Sequence, residues 1–217
     1  MISIYFLSSQ RLKSNDFDSL ASALPFGDAE RVRLGAIENS NHKWESLGGL
    51  TALWRLCELL ALPLPIDVAR APSGKPYFDS DAPHAFSISH SKGICAAAVA
   101  DASHAEIGLD VEVIDEKYNR EDIANRFFTP EEKLSFELCG KTPDAFFATW
   151  TAKEARAKLD GKGLGAIISA KESSGDLPVY VSRLTVSIDD KRLAVSVCSY
   201  SPDEPIRIYF DCDEKDV

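Results

Sequence analysis

The cleanest alternation in the chain runs through Ile107-Gly108-Leu109-Asp110-Val111-Glu112-Val113, where every odd position is apolar. A period of two predicts a half-buried strand whose other face carries Gly108, Asp110 and Glu112. Asp is disfavoured in strands, and residues two apart on one face lie about 6.5 Å apart at Cα, so the two carboxylates repel. A shared hard cation would relieve that repulsion; Mg2+ is held by a few carboxylates together with waters and phosphate oxygens. The alternative is a solvent-facing acidic strand face, and the strand alone does not decide between them.

From Thr142 the period lengthens to that of a helix. Phe146, Phe147, Trp150, Lys153, Glu154, Ala157 and Lys158 then share one broad face, in a stretch of strong helix formers that ends before Gly161. The stripe begins aromatic and becomes charged without changing direction, as in a helix that runs out of a core into a polar cleft. A solvated Glu154/Lys158 pair, stabilising by about 0.2 to 0.5 kcal/mol, is the competing reading, and it expects the charges opposite the aromatics.

The remaining pattern is punctuated clearly. A strand-like run opens the chain at residues 1–7, a polar helix is predicted near 15–24, and the charged cluster 28–33, with Arg31 and Arg33, opens another helical stretch. Leu47, Leu50, Trp54, Cys57 and Ala61 predict a long helix over 42–61, stopped by Pro63, with Trp44 and Trp54 as core residues. Prolines and the Gly74-Lys75-Pro76 turn mark 64–78 as extended. Strands follow at 85–91 and 94–100 around a turn at Lys92-Gly93, the first carrying Ser89-His90-Ser91. Those hydroxyls and the histidine, beside small side chains, could admit a phosphate, although a structural histidine reads equally well there.

Thr129, Pro130 and Glu132 form a predicted capping box. Gly161, Gly163 and Gly165 follow a helix instead of joining a strand to one, so dinucleotide and P-loop readings fail and a C-cap with a flexible exit remains. Strands are predicted at 179–188, 193–200 and 206–210, with a hairpin turn at 189–191. The order of opening strand, short helices, long helix and antiparallel strands recurs near residue 105. It predicts an α+β fold of two similar halves, 1–104 and 105–217, each a small antiparallel sheet packed on a long helix.

Composition narrows the chemistry. The 217 residues suit one large or two small domains, and the net charge of -10 repels nucleic acid and anionic membranes, so an anionic ligand needs a local basic pocket. No leader pattern opens the chain and no 18 apolar residues run together, which excludes a membrane span and predicts a cytoplasmic protein. Five scattered cysteines at 57, 95, 139, 198 and 212 form no CxxC and read as reduced thiols, neither zinc ligands nor disulfides.

Taken together, Gly74-Lys75-Pro76, Phe86-Ser87-Ile88-Ser89-His90-Ser91, Ile107-Gly108-Leu109-Asp110-Val111-Glu112, Arg126-Phe127-Phe128-Thr129-Pro130-Glu131-Glu132 and Trp150-Thr151-Ala152-Lys153-Glu154-Ala155-Arg156-Ala157-Lys158 stand in an order and spacing that resembles the 4'-phosphopantetheinyl transferases, in particular the longer, surfactin-synthetase-activating type. The resemblance implies a pseudo-twofold monomer that binds coenzyme A between its halves. It implies that Asp110, Glu112 and Glu154 hold Mg2+, with Mn2+ as a substitute, against the coenzyme A pyrophosphate. Lys75, Ser89, His90, Lys153 and Lys158 would meet its phosphates, Lys158 beside the reacting one. The serine of an apo acyl or peptidyl carrier protein would attack the β-phosphate and release 3',5'-ADP, with Glu154 as general base, directly or through a water. That agrees with phosphoryl transfer as a problem of positioning and charge neutralisation.

The sequence departs from the family pattern at Trp44 and Glu45, where a basic and a small polar residue usually receive the 3'-phosphate; Arg31 and Lys43 are the cations expected to substitute. The acidic chain would dock its carrier through a local surface at 118–128, with Arg120, Ile123, Arg126 and Phe127. Two other readings stay open: a coenzyme A-binding module with little activity, and an unrelated Mg2+-dependent phosphotransferase acting on a small molecule.

Overall fold

The computed structural model describes residues 1–79, 84–101, 106–117, 119–162, 178–202 and 204–211. Its centre is formed by two larger sheets, each covered by a long helix. β1 (Ile2–Ser8) is buried along its length, because Ile2, Ile4 and Phe6 face the second sheet while Tyr5 and Leu7 lie under a helix. It pairs antiparallel with β5 (Ile94–Ala100), which pairs with β4 (Ala85–Ser91), and parallel with β9 (Ile206–Phe210), giving the order β4-β5-β1-β9. The turn between β4 and β5 holds Lys92 and Gly93 at φ 47° and 86°, the left-handed conformation a two-residue hairpin requires.

Four helices cover this sheet: α1 (Ser9–Leu12), α2 (Phe17–Ala23), α3 (Gly27–Gly35) and α4 (Ser40–Leu59). Asn39 caps α4 by accepting the His42 N–H at 3.0 Å. Leu47, Leu50, Leu53 and Leu56 of α4 are buried on the sheet. The extended stretch forms the small hairpin β2 (Val68–Arg70) and β3 (Pro76–Phe78).

The second sheet, ordered β6-β8-β7, comprises β6 (Ile107–Val113), β7 (Tyr180–Ile188) and β8 (Lys191–Ser199). Its inner residues Ile107, Leu109, Val111, Leu193, Val195 and Val197 pack on Ile2, Ile4, Phe6, Ala96 and Ala98 of the first sheet. The small alanines of β5 thus allow the two sheets to approach. Its outer face carries α5 (Arg120–Phe127), α6 (Pro130–Leu138) and α7 (Pro143–Asp160). The capping box forms as predicted: Thr129 Oγ1 accepts from Glu132 N at 3.2 Å and Glu132 Oε2 from Thr129 N at 2.7 Å. Gly161 ends α7 in the left-handed conformation, φ 61°. Gly163 and Gly165 lie outside the described residues.

The architecture is α+β, with sheet on sheet at the centre and a long helix on each outer face. One expectation needs correction. β6 is not half-buried: Asp110 is 4% exposed, because α7 covers the polar face as well. A Cβ on Gly108 would lie 1.9 Å from the Ala155 carbonyl oxygen and 2.6 Å from Leu159 N. Only glycine lets the α7 backbone press onto the strand there. The four described cysteines, Cys57, Cys95, Cys139 and Cys198, are free thiols, and no described helix is long and apolar enough to cross a membrane.

Candidate active site

The close approach at Gly108 sets what lies above Asp110. On α7, Glu154 and Lys158 flank the contact made by Ala155. Phe146, Phe147 and Trp150, one to two turns earlier, are buried with Phe128 and Phe136 of the α5–α6 region. The stripe therefore leaves an aromatic core and arrives over the strand's carboxylates. Lys158 Nζ lies 2.8 Å from both Asp110 Oδ1 and Ser89 Oγ. Ser89 Oγ donates to Asp110 Oδ1 at 2.9 Å, whereas Asp110 Oδ2 is buried without any hydrogen-bond partner.

Crowding shifts the acids. Burial, then the charge of Asp110, pushes the Glu154 carboxyl up to about 7, with Glu112 adding and Lys158 opposing. Burial also raises Glu112, against the Ser91 hydroxyl that donates to its Oε2 at 2.6 Å. An unsatisfied buried carboxylate oxygen beside two acids held above their ordinary range is an environment short of positive charge. Three oxygen-donor side chains suit a hard divalent cation, so the residues fit Mg2+ chemically. Among the described residues, however, no three His, Cys, Asp or Glu side chains already stand together as a metal-ligand set. Lys158 occupies the cationic position against Asp110 Oδ1.

A cleft of about 310 Å3 adjoins the cluster, lined by Ser73, Lys75, Phe86, Glu154, Lys158 and Lys162 among others. Lys75 holds the Gly74-Lys75-Pro76 loop to α7 by donating to the Leu159 carbonyl at 2.9 Å and pairing with Glu106. A cation at a helix C-terminus is favourably placed against the helix dipole. His90 lies behind, its Nδ1 3.4 Å from Glu45 Oε2 and its ring 5.4 Å from that of His42. Burial pushes His90 below its ordinary range, against the raising pull of Glu45.

Not every predicted residue arrives here. Lys153 is buried and donates to both Glu132 oxygens, at 3.0 and 2.8 Å, tying α7 to the start of α6. Arg31 pairs with Asp28 and donates to the Leu24 carbonyl at 3.1 Å, and Lys43 sits 4.4 Å over the Phe17 ring. None of the three is among the residues that line the cleft. Glu45, at the departure from the family pattern, is engaged within the chain: its Oε1 accepts the Gly93 N–H at 2.7 Å. In the sequence, Ser91 stands out only as one of the strand-end hydroxyls, Glu132 only as a capping residue and Glu45 only as a departure from the family pattern. Their partners Glu112, Lys153 and Gly93 are not foreseen there, and His42 is not singled out at all.

Buried acids, lysines and a cleft at the junction of two sheets define a site suited to transfer of a phosphate-linked group. Residues 106–199 match the family model of the 4'-phosphopantetheinyl transferase superfamily. The chain is 33% identical over 144 residues to the 4'-phosphopantetheinyl transferase AcpT of Salmonella typhimurium, covering 64% of this chain and 70% of that protein. It is 32% identical over 145 residues to AcpT of Escherichia coli strain K12, with 64% and 69% covered, and 31% identical over 147 residues to the 4'-phosphopantetheinyl transferase of Bacillus subtilis, with 60% and 61% covered. The chain belongs to the 4'-phosphopantetheinyl transferase superfamily.

Proposed function

We propose that the protein transfers the 4'-phosphopantetheine arm of coenzyme A to a serine hydroxyl of an apo acyl or peptidyl carrier protein. The observation that carries the site assignment is the convergence of Glu154 and Lys158 on Asp110, whose Oδ2 is left without a partner. Asp110, Glu112 and Glu154 would hold Mg2+, which supplies positive charge to the pyrophosphate when bound. Lys75, Lys158, Ser89 and His90 bind and orient the phosphates. Glu154, directly or through a water, takes the proton of the attacking carrier serine. The serine oxygen bonds to the β-phosphorus, the bond to the bridging oxygen breaks, and 3',5'-ADP leaves with that oxygen.

The two units share a plan that supports a pseudo-twofold. The run β1-β5-β4 under α4 corresponds to β6-β8-β7 under α7, with β9 added to the first sheet's edge. We assign residues 1–104 to coenzyme A contacts and 105–217 to the acidic site and catalytic helix, acting as a cytoplasmic monomer. The carrier would dock on α5, where Arg126 lies over Phe127, itself edge-on to Trp150; Tyr118, at the start of that surface, lies outside the described residues. Incubation with coenzyme A, Mg2+ and a panel of apo carriers, read by intact mass, should add one phosphopantetheine to at least one carrier. Asp110→Ala should abolish the addition while the chain stays folded by circular dichroism; a near-normal rate in that variant would sink the site assignment.

A further inference from the structure

β4 and β6 are each an outermost strand of their sheets, and side chains, not backbone, join them. Ser87, Ser89 and Ser91 share one face of β4. Their Oγ atoms accept the N–H groups of Leu109, Val111 and Val113 at 2.9, 3.1 and 3.2 Å. A hydroxyl oxygen that accepts a backbone N–H still has its own proton to donate. Ser89 gives it to Asp110 Oδ1 at 2.9 Å, and Ser91 to Glu112 Oε2 at 2.6 Å. Ser91 is 7% exposed, so little water is at hand to replace a lost bond. The rungs step along β6 two residues at a time, past Gly108, Asp110 and Glu112 in turn. Ser87 therefore makes a rung beside a glycine, while the other two serines each meet a carboxylate.

We propose that Ser91 is a positioning residue for Glu112: by accepting from Val113 and donating to Oε2, it fixes the Glu112 carboxylate to the strand edge and thereby sets the affinity of the acidic site for a divalent cation. The inference rests on the proposed reading that Glu112 helps to hold that cation. Groups that orient a metal-binding side chain typically contribute 10- to 100-fold in metal affinity.

The test uses the full chain, with Mn2+ as the probe, titrated by electron paramagnetic resonance with coenzyme A present. Thermal midpoints are measured alongside. Ser87→Ala and Ser91→Ala each remove one rung and should lower the midpoint comparably. Only Ser91→Ala should weaken Mn2+ binding, by at least about tenfold, and Ser91→Thr, which keeps both hydrogen bonds, should restore it. Should Ser91→Ala fail to fold, Ser91→Cys, a weaker donor of similar size, carries the same expectation. Equal Mn2+ affinities in Ser91→Ala and Ser87→Ala, with a wild type that binds, would overturn this inference alone. A wild type that binds no Mn2+ would overturn the cation reading and this inference with it.

Discussion

Replacing Glu154 by Gln should stabilise the metal-free protein at pH 8 and do little at pH 5. Burial and the Asp110 charge raise the folded-state Glu154 carboxyl from 4.5 to about 7. Between those values the folded chain keeps a proton that the unfolded chain has released. Stability therefore falls as pH rises through that window and is level above it. The shift of 7 − 4.5, at about 1.4 kcal/mol per unit, sets an upper bound of about 3.5 kcal/mol. Glu154 retains access to solvent at the cleft, and screening brings the expected penalty to about 1 to 2 kcal/mol. Gln cannot ionise and escapes it. Urea unfolding in EDTA, followed by tryptophan fluorescence at pH 5, 6, 7 and 8, should give Glu154→Gln an advantage of about 1 to 2 kcal/mol at pH 8 that shrinks toward pH 5. The same variant should modify no carrier, and Mg2+ should stabilise it less than the wild type. A variant less stable at pH 8, or an advantage independent of pH, would refute the claim that this carboxylate is held against its own charge.

Three further outcomes follow from the geometry. Gly108→Ala places a Cβ 1.9 Å from a helix carbonyl that cannot rotate away, and should cost about 3 kcal/mol or more in urea unfolding, beyond most overpacking substitutions; a loss below 1 kcal/mol would show that α7 is not held so close. At the opening of α4 the ring beside His90 is that of His42, whose imidazole N–H can donate to a phosphate, so His42→Ala should reduce the preference in kcat/KM for coenzyme A over its 3'-dephospho form about tenfold or more, whereas Arg31→Ala, engaged with Asp28 and Leu24, should change it little. Ile123→Asp on α5 should raise KM for the carrier much more than for coenzyme A, and equal effects on the two would count against docking there.

What the sequence reveals here follows the range of the interactions. The capping box at Thr129 and Glu132, the Gly161 cap and the strand 107–113 all depend on neighbours within a few residues, and each is readable from spacing. Burial of both faces of β6 depends on α7, some 45 residues later, and its only local sign is Gly108 in a strand. Lys153 reads as a cleft cation because it lies on the same broad face as Glu154. A helix face spans more than 100°, however, and that spread takes Lys153 to Glu132 instead. Likewise, the cations around residue 30 have nearer partners: Arg31 meets Asp28 one turn away, and Arg33 meets Glu30, which Arg70 also binds.

The acidic pair on β6 shows why the seam between sheets is the functional place. A strand inside a sheet has its N–H groups taken by a neighbouring backbone, whereas the β6 edge takes hydroxyls from β4, and each hydroxyl still has a proton to donate. An edge satisfied by serines thus orients carboxylates that a backbone ladder could not reach. The glycine at 108 then admits a helix whose own acid and lysine close over them. Three ordinary patterns, S-x-S-x-S, G-x-D-x-E and K-E-x-x-x-K, become one site only through their mutual register. That explains why none of them defines the site on its own, and why changing the glycine should disturb the acids as surely as changing an acid.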